Sequence, residues 1–364
     1  KKAKGKDLDL SLQIESPYHE GVERGIPIGE SVGMARTLAA TPPNVASPAY
    51  LVTHCQKMAR QIGLKCSIID AKKARALGMG GLLAVGGAGS TPPALICLEW
   101  SPRSRGPAKS RAAASKPILL VGKAITFDTG GYSIKPGDSM TRMKYDKSGG
   151  MAVIGAMHAV ASLKLPTRVV GLIPAAENMI DDEAYRPGDI LTMHNGVTVE
   201  VTNTDAEGRL ILADALAWGC KQYRPRAIVD LATLTGGVVV ALGHHCAGCF
   251  CNDADFRERV FDAGEQTGEQ LWHLPLWDEH RELLKSTHAD IVNSAGRPAH
   301  PIQGAAFLSH FVARDGDFKK NADVAWAHLD IAGVADTKDG RPPYAKGPTG
   351  FGVRLLTRLV EAWK

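Results

Sequence analysis

Two stretches of the chain concentrate ionisable groups among glycines. Val121–Met151 reads VGKAITFDTGGYSIKPGDSMTRMKYDKSGGM and carries Lys123, Asp128, Lys135 and Asp146. Asn203–Leu210 reads NTDAEGRL and carries Asp205, Glu207 and Arg209. Singly, each has an ordinary reading: Asp205 as a helix N-cap, Glu207 as a first-turn acid favoured by the helix dipole, the lysines as surface charges. Together they place four carboxylates near the ends of expected strands. Four like charges that converge repel one another strongly unless cations neutralise them. Two divalent ions would balance them, as in two-metal sites whose ions lie about 3.5–4 Å apart and hold a nucleophilic water. The same carboxylates would serve a hydrolase of peptides or a two-metal phosphoesterase equally well.

The elements that must position these groups alternate between helix and strand. Ser47 suits an N-cap, Pro48 the first helical position and Gly63 a stop, so Ser47 to Ile62 reads as a helix with Leu51, Cys55, Met58 and Ile62 on one face. Leu64–Ile69 follows as a strand, and Asp70 can cap a second helix. Further strands are expected at Ala94–Leu98, Ile118–Val121, Arg168–Ile173, Val197–Val201, Ala227–Leu231 and Val324–Leu329, several of them near-continuous apolar runs. Helical stretches lie between them at Met151–Leu163, Arg209–Tyr223, Phe256–Gln266 and Ala305–Val312. Asn195-Gly196 is a hairpin signal, which makes the expected sheet mixed. The fold class is therefore α/β, a mixed β-sheet sandwiched between helices. Both charged stretches fall just past strand ends, where open α/β sheets bind ligands.

Residues 1–24 are polar and read as a tether or remnant ahead of one domain, 25–364. Within it, 101–116 (SPRSRGPAKSRAAASK) holds five basic residues and no acid, and reads as a solvated flexible loop. The missing initiator Met suggests a fragment or processed product. Composition is globular, with 44% hydrophobic and 22% charged residues. No apolar run approaches the ~18 residues of a membrane span, so no membrane partner is expected. The net charge of +5 is a mild bias that permits an anionic partner without predicting one. Seven cysteines, an odd number in a chain too large for a disulfide scaffold, read as reduced thiols of a cytosolic protein. His244-His245-Cys246…Cys249…Cys251 has CxxC spacing but no second pair to close a zinc knuckle, and reads as a thiol-rich loop after a strand Val238–Leu242. Cys220 reads as core.

At these residues the chain resembles the leucyl aminopeptidase (cytosol aminopeptidase) family of di-zinc exopeptidases. NTDAEGRL at 203–210 is identical to that family's signature. VGKAITFDTGGYSIKP at 121–136, MKYD at 143–146, TPPN at 41–44, DLATLTG at 230–236 and WAHLDIAG at 326–333 look like the same family in the same order. The resemblance implies Lys123, Asp128, Asp146 and Glu207 as ligands of a tightly held metal. It implies Asp128, Asp205 and Glu207 as ligands of an exchangeable one. The cofactors it implies are two divalent ions, Zn or Mn with Mg or Co as alternatives, and a bicarbonate as general base. Lys135 resembles the catalytic lysine that polarises the scissile carbonyl, and Arg209 the arginine that holds the bicarbonate beside the backbone of Ala206, Gly208 and Leu234. Met143, Asn203, Thr233 and Ala335 match substrate-pocket positions. Lys123 would ligate only as a neutral amine, whereas Lys135 must stay protonated.

The resemblance thus implies a metal-dependent aminopeptidase that removes N-terminal residues, preferably large apolar ones such as Leu and Met, from peptides. The family also implies a cytoplasmic homohexamer. Nucleic acid is not expected as a partner, although a non-catalytic DNA-binding relative is a further alternative. Three features depart from the family pattern: its usual N-terminal domain does not precede residue 25, the loop 101–116 is longer and more basic, and Lys147 follows Asp146 where a small or apolar residue is usual. Lys147 would add a cation close to the site.

Overall fold

A computed structural model describes residues 15–102, 116–312 and 324–363 of the chain. Its framework is a nine-stranded mixed sheet. In chain order its strands are β1 Lys65–Ile69, β2 Ala94–Trp100, β3 Ile118–Gly122, β4 Ala124–Asp128 and β5 Val169–Asn178. Two short strands, β6 Ile190–Thr192 and β7 Thr198–Glu200, lie off it; β8 Ala227–Ala232, β9 Ala247–Cys251 and β10 Leu271–His273 return to it. After β11 Ile291–Val292 comes β12 Ala325–Asp330, the last strand of the main sheet. The spatial order is β1-β2-β5-β3-β8-β12-β9-β10, with β4 also on β5. The centre, β5-β3-β8-β12, is parallel, while β1, β2 and β9 have antiparallel pairings.

Helices cover both faces, which is why the central strands are largely apolar; the buried Asp230 of β8 and His328 of β12 are exceptions that pair with each other at 2.6 Å. One face packs the helices His19–Ala40, Pro48–Ile62, Ser148–Ser162 and Val353–Glu361 through Leu38, Leu51, Met58, Met157 and Leu356. The other packs Gly80–Val85, Gly208–Tyr223 and His300–Ser309 through Leu82, Leu212, Leu216 and Phe307. Local signals hold where the chemistry is local. Ser47 Oγ accepts from Tyr50 N–H and Gly63 takes the left-handed conformation, φ 77°. The Asp70 side chain caps the short helix Ala71–Ala76.

Several expectations are corrected. The boundary at residue 24 falls inside the helix His19–Ala40; of the expected tether, residues 1–14 lie outside the described residues, as does most of the basic loop, 103–115. The Asn195-Gly196 hairpin forms, with Gly196 at φ 89°, but β6, β7 and β11 make a separate three-stranded sheet. The main sheet is mixed because of β1, β2 and β9. Val238–Leu242 is no strand: the Thr235 side chain accepts from Val238 N–H and starts the helix Gly236–Leu242. The thiols beyond it lie on β9 rather than in a loop, Cys249 buried and Cys251 half-buried. None of the seven cysteines forms a disulfide within the described residues, and Cys220 is fully buried in its helix, its thiol donating to Val312 O.

The strand expected to end at Val121 runs to Gly122 and resumes as β4. Lys123 is the irregular residue between. Its N–H donates to Leu231 O and its carbonyl accepts from Gly150 N–H. This break lets β3 and β4 run in sequence beside one long strand, β5, and turns the Lys123 side chain towards the strand ends.

Candidate metal centre

The carboxyl ends of the parallel strands converge on one cluster. Asp128 closes β4, Asn178 closes β5, Thr233 follows β8 and Asp330 closes β12. Asp146 is delivered by a single 3-10 turn, Met143–Tyr145, immediately before the helix Ser148–Ser162. Glu207 stands at the N-terminus of the helix Gly208–Tyr223. Asp128, Asp146 and Glu207 are all buried and each offers an oxygen within 4.8 Å of the others'. This is the only grouping of that kind among the described residues, so the His244–Cys251 run does not form one.

Two lysines interleave with the acids. Lys123 Nζ is 2.8 Å from Glu207 Oε1, 2.9 Å from Asp146 Oδ1, and donates to Thr233 O at 2.8 Å. Lys135 Nζ is 2.9 Å from Asp128 Oδ2 and also pairs with Asp205, which is thereby joined to the cluster from its open side. Gly208 is required here, since a Cβ on it would lie 2.6 Å from Lys123 Cε. Asn178 Nδ2 and Gly130 N–H donate to Asp128 Oδ1 at 2.7 and 2.8 Å, and Thr233 Oγ1 donates to Asp146 Oδ1 at 2.7 Å.

The electrostatics are those of an under-neutralised acidic site. Burial, and then the Glu207 charge, push Asp128 and Asp205 up to about 6. Asp146 is pushed up to about 7, chiefly by burial. Burial also works against the Glu207 charge, but Lys123 and Lys135 outweigh it and keep this carboxyl below its ordinary value. The same acids overcome the desolvation of both lysines and hold their ammonium groups above the usual range. Four carboxylates against two lysines leave two negative charges uncompensated, and Asp146 Oδ2 has no hydrogen-bond partner among the described residues. Buried charges that lack partners are costly, and oxygen donors suit divalent cations. The residues present therefore fit a metal.

Arg209 lies beside this cluster, 1% exposed. One of its terminal nitrogens donates to Asn293 O at 2.7 Å, while Nε has no partner among the described residues. Burial lowers its pKa to about 10 against the pull of Glu207 and Asp330. A buried guanidinium with an open donor at a helix N-terminus fits an anion. Of the backbone groups expected around that anion, Ala206 N–H donates to Asn203 O and Leu234 N–H donates to Asp330 Oδ1. Met143, Asn203 and Thr233 are half-buried, whereas Ala335 is only 2% exposed. The neighbours of two of these residues are joined, Arg142 pairing with Asp336. Lys147 does not point its charge at the acids. Its Nζ donates to Thr41 O and Lys144 O, and burial, followed by Lys144, lowers its pKa to about 8.

Sequence reasoning missed Asn178 and Asn293. Asn293 Nδ2 donates to Asn203 O, its Oδ1 accepts from Thr202 and Asn203 N–H, and its carbonyl holds Arg209. It shapes the loop that carries Asp205 and Glu207 from about ninety residues away, and nothing in its own surroundings, VNSAG, marks it.

A sheet with mixed strand direction, helices on both faces and a buried carboxylate–lysine cluster at its parallel strand ends defines an α/β domain built to hold cations. Residues 33–357 match the catalytic domain of the cytosol aminopeptidase family, and the chain belongs to that family. Among its relatives is a probable cytosol aminopeptidase of Syntrophotalea carbinolica, 46% identical over 340 residues, which are 93% of this chain and 65% of that protein. Another, from Solibacter usitatus, is 48% identical over 361 residues, covering 99% of this chain and 72% of the relative. A solved structure, the bottromycin maturation enzyme BotP in complex with Mn, superposes with a TM-score of 0.87 at 37% identity, over 96% of this chain and 73% of that one. The chain thus spans about two thirds to three quarters of these proteins' lengths, and 65% of the Syntrophotalea one. No helix among the described residues is long and apolar enough to cross a membrane.

Proposed function

We propose that the chain is a metal-dependent aminopeptidase that hydrolyses N-terminal residues from peptides, with two divalent ions and a bicarbonate at the site. The observation that carries this reading is the convergence of Asp128, Asp146 and Glu207, with Asp205 held next to them through Lys135. Lys123, Asp128, Asp146 and Glu207 would hold one ion; Asp128, Asp205 and Glu207 would hold the other. Bound there, divalent ions supply Lewis acidity to the scissile carbonyl and a water of lowered pKa as nucleophile.

The chain's own residues do the rest. Asp128 and Asp205 hold the Lys135 ammonium at the edge of the cluster. From there the Lys135 ammonium would donate to the carbonyl oxygen as negative charge develops on it. The Arg209 guanidinium would hold the bicarbonate, whose chemistry there would be that of a general base. Thr233 and Asn178 fix the carboxylates Asp146 and Asp128 by hydrogen bonds, so that little reorganisation remains for the reaction. Met143, Asn203, Thr233 and Ala335 are the residues proposed to receive the first side chain of the peptide, Leu or Met by preference. Cysteines outside any disulfide support a cytosolic location, and the family resemblance supports a homohexamer.

The test is a rate measurement on the chain stripped of metal and reloaded with Mn²⁺ or Zn²⁺, using a leucyl chromogenic substrate beside a phosphodiester. The reading expects leucyl release that vanishes on stripping and returns on reloading. Full activity without metal overturns the metal mechanism; cleavage of the phosphodiester alone makes the protein a two-metal phosphoesterase.

A further inference from the structure

Lys147 is 0% exposed, one of the largest side chains fully buried in the molecule. Burying an ammonium costs several kcal/mol, and this one also sits at the N-cap of the helix Ser148–Ser162, where the helix dipole disfavours a cation. A methionine of similar length would avoid both penalties. What the lysine does instead is close two main-chain carbonyls that belong to different segments. Its Nζ donates to Thr41 O at 3.1 Å, where the helix His19–Ala40 ends, and to Lys144 O at 2.5 Å, in the middle of the turn Met143–Tyr145. Ser148 Oγ donates to Tyr145 O within the same turn, and the Arg142–Asp336 pair fixes its outer edge. The turn has only three residues and a single helix-type bond into Asp146, from its N–H to Met143 O at 3.2 Å. Its placement therefore depends on these fastenings.

We propose that Lys147 is a positioning residue: by fastening the turn Met143–Tyr145 to the carbonyl of Thr41, it aims the Asp146 carboxylate and so sets the affinity of the cluster for its cation. This rests on the reading of Asp146 as a metal ligand. Residues that orient ligands from behind are typically worth about 10–100-fold in metal affinity. A purely structural lysine would affect stability without affecting that affinity.

The experiment uses the full chain freed of metal, as wild type, Lys147→Met, Lys147→Gln and Asp146→Asn. Mn²⁺ binding is titrated calorimetrically, and the thermal midpoint of each metal-free protein is measured. Lys147→Met should bind Mn²⁺ at least tenfold more weakly while its metal-free midpoint stays equal or rises. Lys147→Gln, which keeps a donor without the charge, should fall between. With Mn²⁺ saturating, kcat of Lys147→Met should fall more than KM changes. Unchanged Mn²⁺ affinity in Lys147→Met, or a lowered midpoint with unchanged affinity, overturns the proposal. Should Lys147→Met not fold, wild-type affinity in Lys147→Gln overturns it equally. Asp146→Asn separates the two readings. If it binds Mn²⁺ like the wild type, Asp146 is no ligand and the underlying reading fails. If it loses Mn²⁺ while Lys147→Met does not, only the positioning role fails.

Discussion

Gly208 and Lys123 compete for one volume: a Cβ on Gly208 would come within 2.6–2.7 Å of Lys123 Cδ, Cε and Nζ. The obstructed atoms are the far end of a flexible side chain, so the fold can absorb the clash and the lysine cannot keep its place. Gly208→Ala should therefore separate folding from function. Alanine in a helix is favoured over glycine by up to about 1 kcal/mol, so the thermal midpoint should hold or rise. Metal content and aminopeptidase rate should fall together, by about tenfold or more, the scale on which misplaced metal-site groups act. A variant with wild-type metal content would mean that Lys123 can serve from another position.

Lys135→Ala should behave differently from any ligand variant. Its ammonium faces Asp128 and Asp205, and its proposed work is done on the carbonyl oxygen in the transition state. Single donors of that kind are worth roughly 10²–10³ in turnover. The variant should retain its metal, lose rate mainly in kcat and leave KM within a few-fold. Metal loss in elemental analysis would make Lys135 a ligand and reverse its role with Lys123.

The pH dependence of stability should carry a mark from Asp214. This carboxylate is 0% exposed on the helix that begins at Gly208. Its oxygens accept from Leu82 N–H at 2.9 Å and His194 N–H at 2.8 Å. Burial nonetheless pushes its pKa from 3.8 to about 7. Between those values the native state keeps a proton that the unfolded chain has released. Stability from this group therefore declines as pH rises through the window and is fully present only below it. With one pKa unit worth about 1.4 kcal/mol, the decline is on the order of 1–4 kcal/mol. Asp214→Asn cannot ionise. It should be less stable at pH 4, because its amide nitrogen faces one of the two N–H donors, yet show a flatter fall towards pH 7. Parallel denaturant curves for both proteins at all pH values would show that Asp214 does not titrate there.

How much of the fold is legible in the sequence depends on the range of the interactions. The Ser47 cap, the Pro48 start and the Gly63 stop involve neighbours within one turn, and all three form as expected. The acids of the site can be grouped because their number alone demands neutralisation. Lys123 reads as the residue after a finished strand because a charge interrupts the apolar run. In the fold its partners Glu207 and Thr233 lie just over eighty and some hundred and ten residues on, and their contacts keep it buried between two strands that continue one another. Val238–Leu242 misleads in the opposite way: β-branched residues suggest a strand, but Gly237 packs against Pro301 and His300 where a side chain would not fit, and Val240 is 90% exposed. Sequence distance alone places Lys147 near the acids of the site; the two carbonyls that draw it away are brought together only by the fold.

Substrate choice should follow the residues proposed for the first pocket. Met143 is flexible and apolar and adapts to varied side chains. It opens the turn that Lys147 fastens and is preceded by Arg142, which pairs with Asp336 next to Ala335. The pair ties together the two segments that would form opposite parts of the pocket. Leu and Met, and after them Phe, should be released faster than Asp or Glu. A buried acidic side chain would lack a partner and would meet Asp128, Asp205 and Glu207 nearby. Differences among the apolar residues should be shallow, since one methylene is worth only about 1–3 kcal/mol. The measurement is kcat/KM for Leu-, Met-, Phe-, Ala-, Arg- and Asp-aminoacyl substrates. Ala335→Met should then penalise Phe more than Leu if Ala335 lines the pocket, although its side chain is buried in the core cluster with Met151 and Phe351. Equal losses for Phe and Leu would place Ala335 outside the pocket, and fastest release of Asp would show that the pocket is built from other residues.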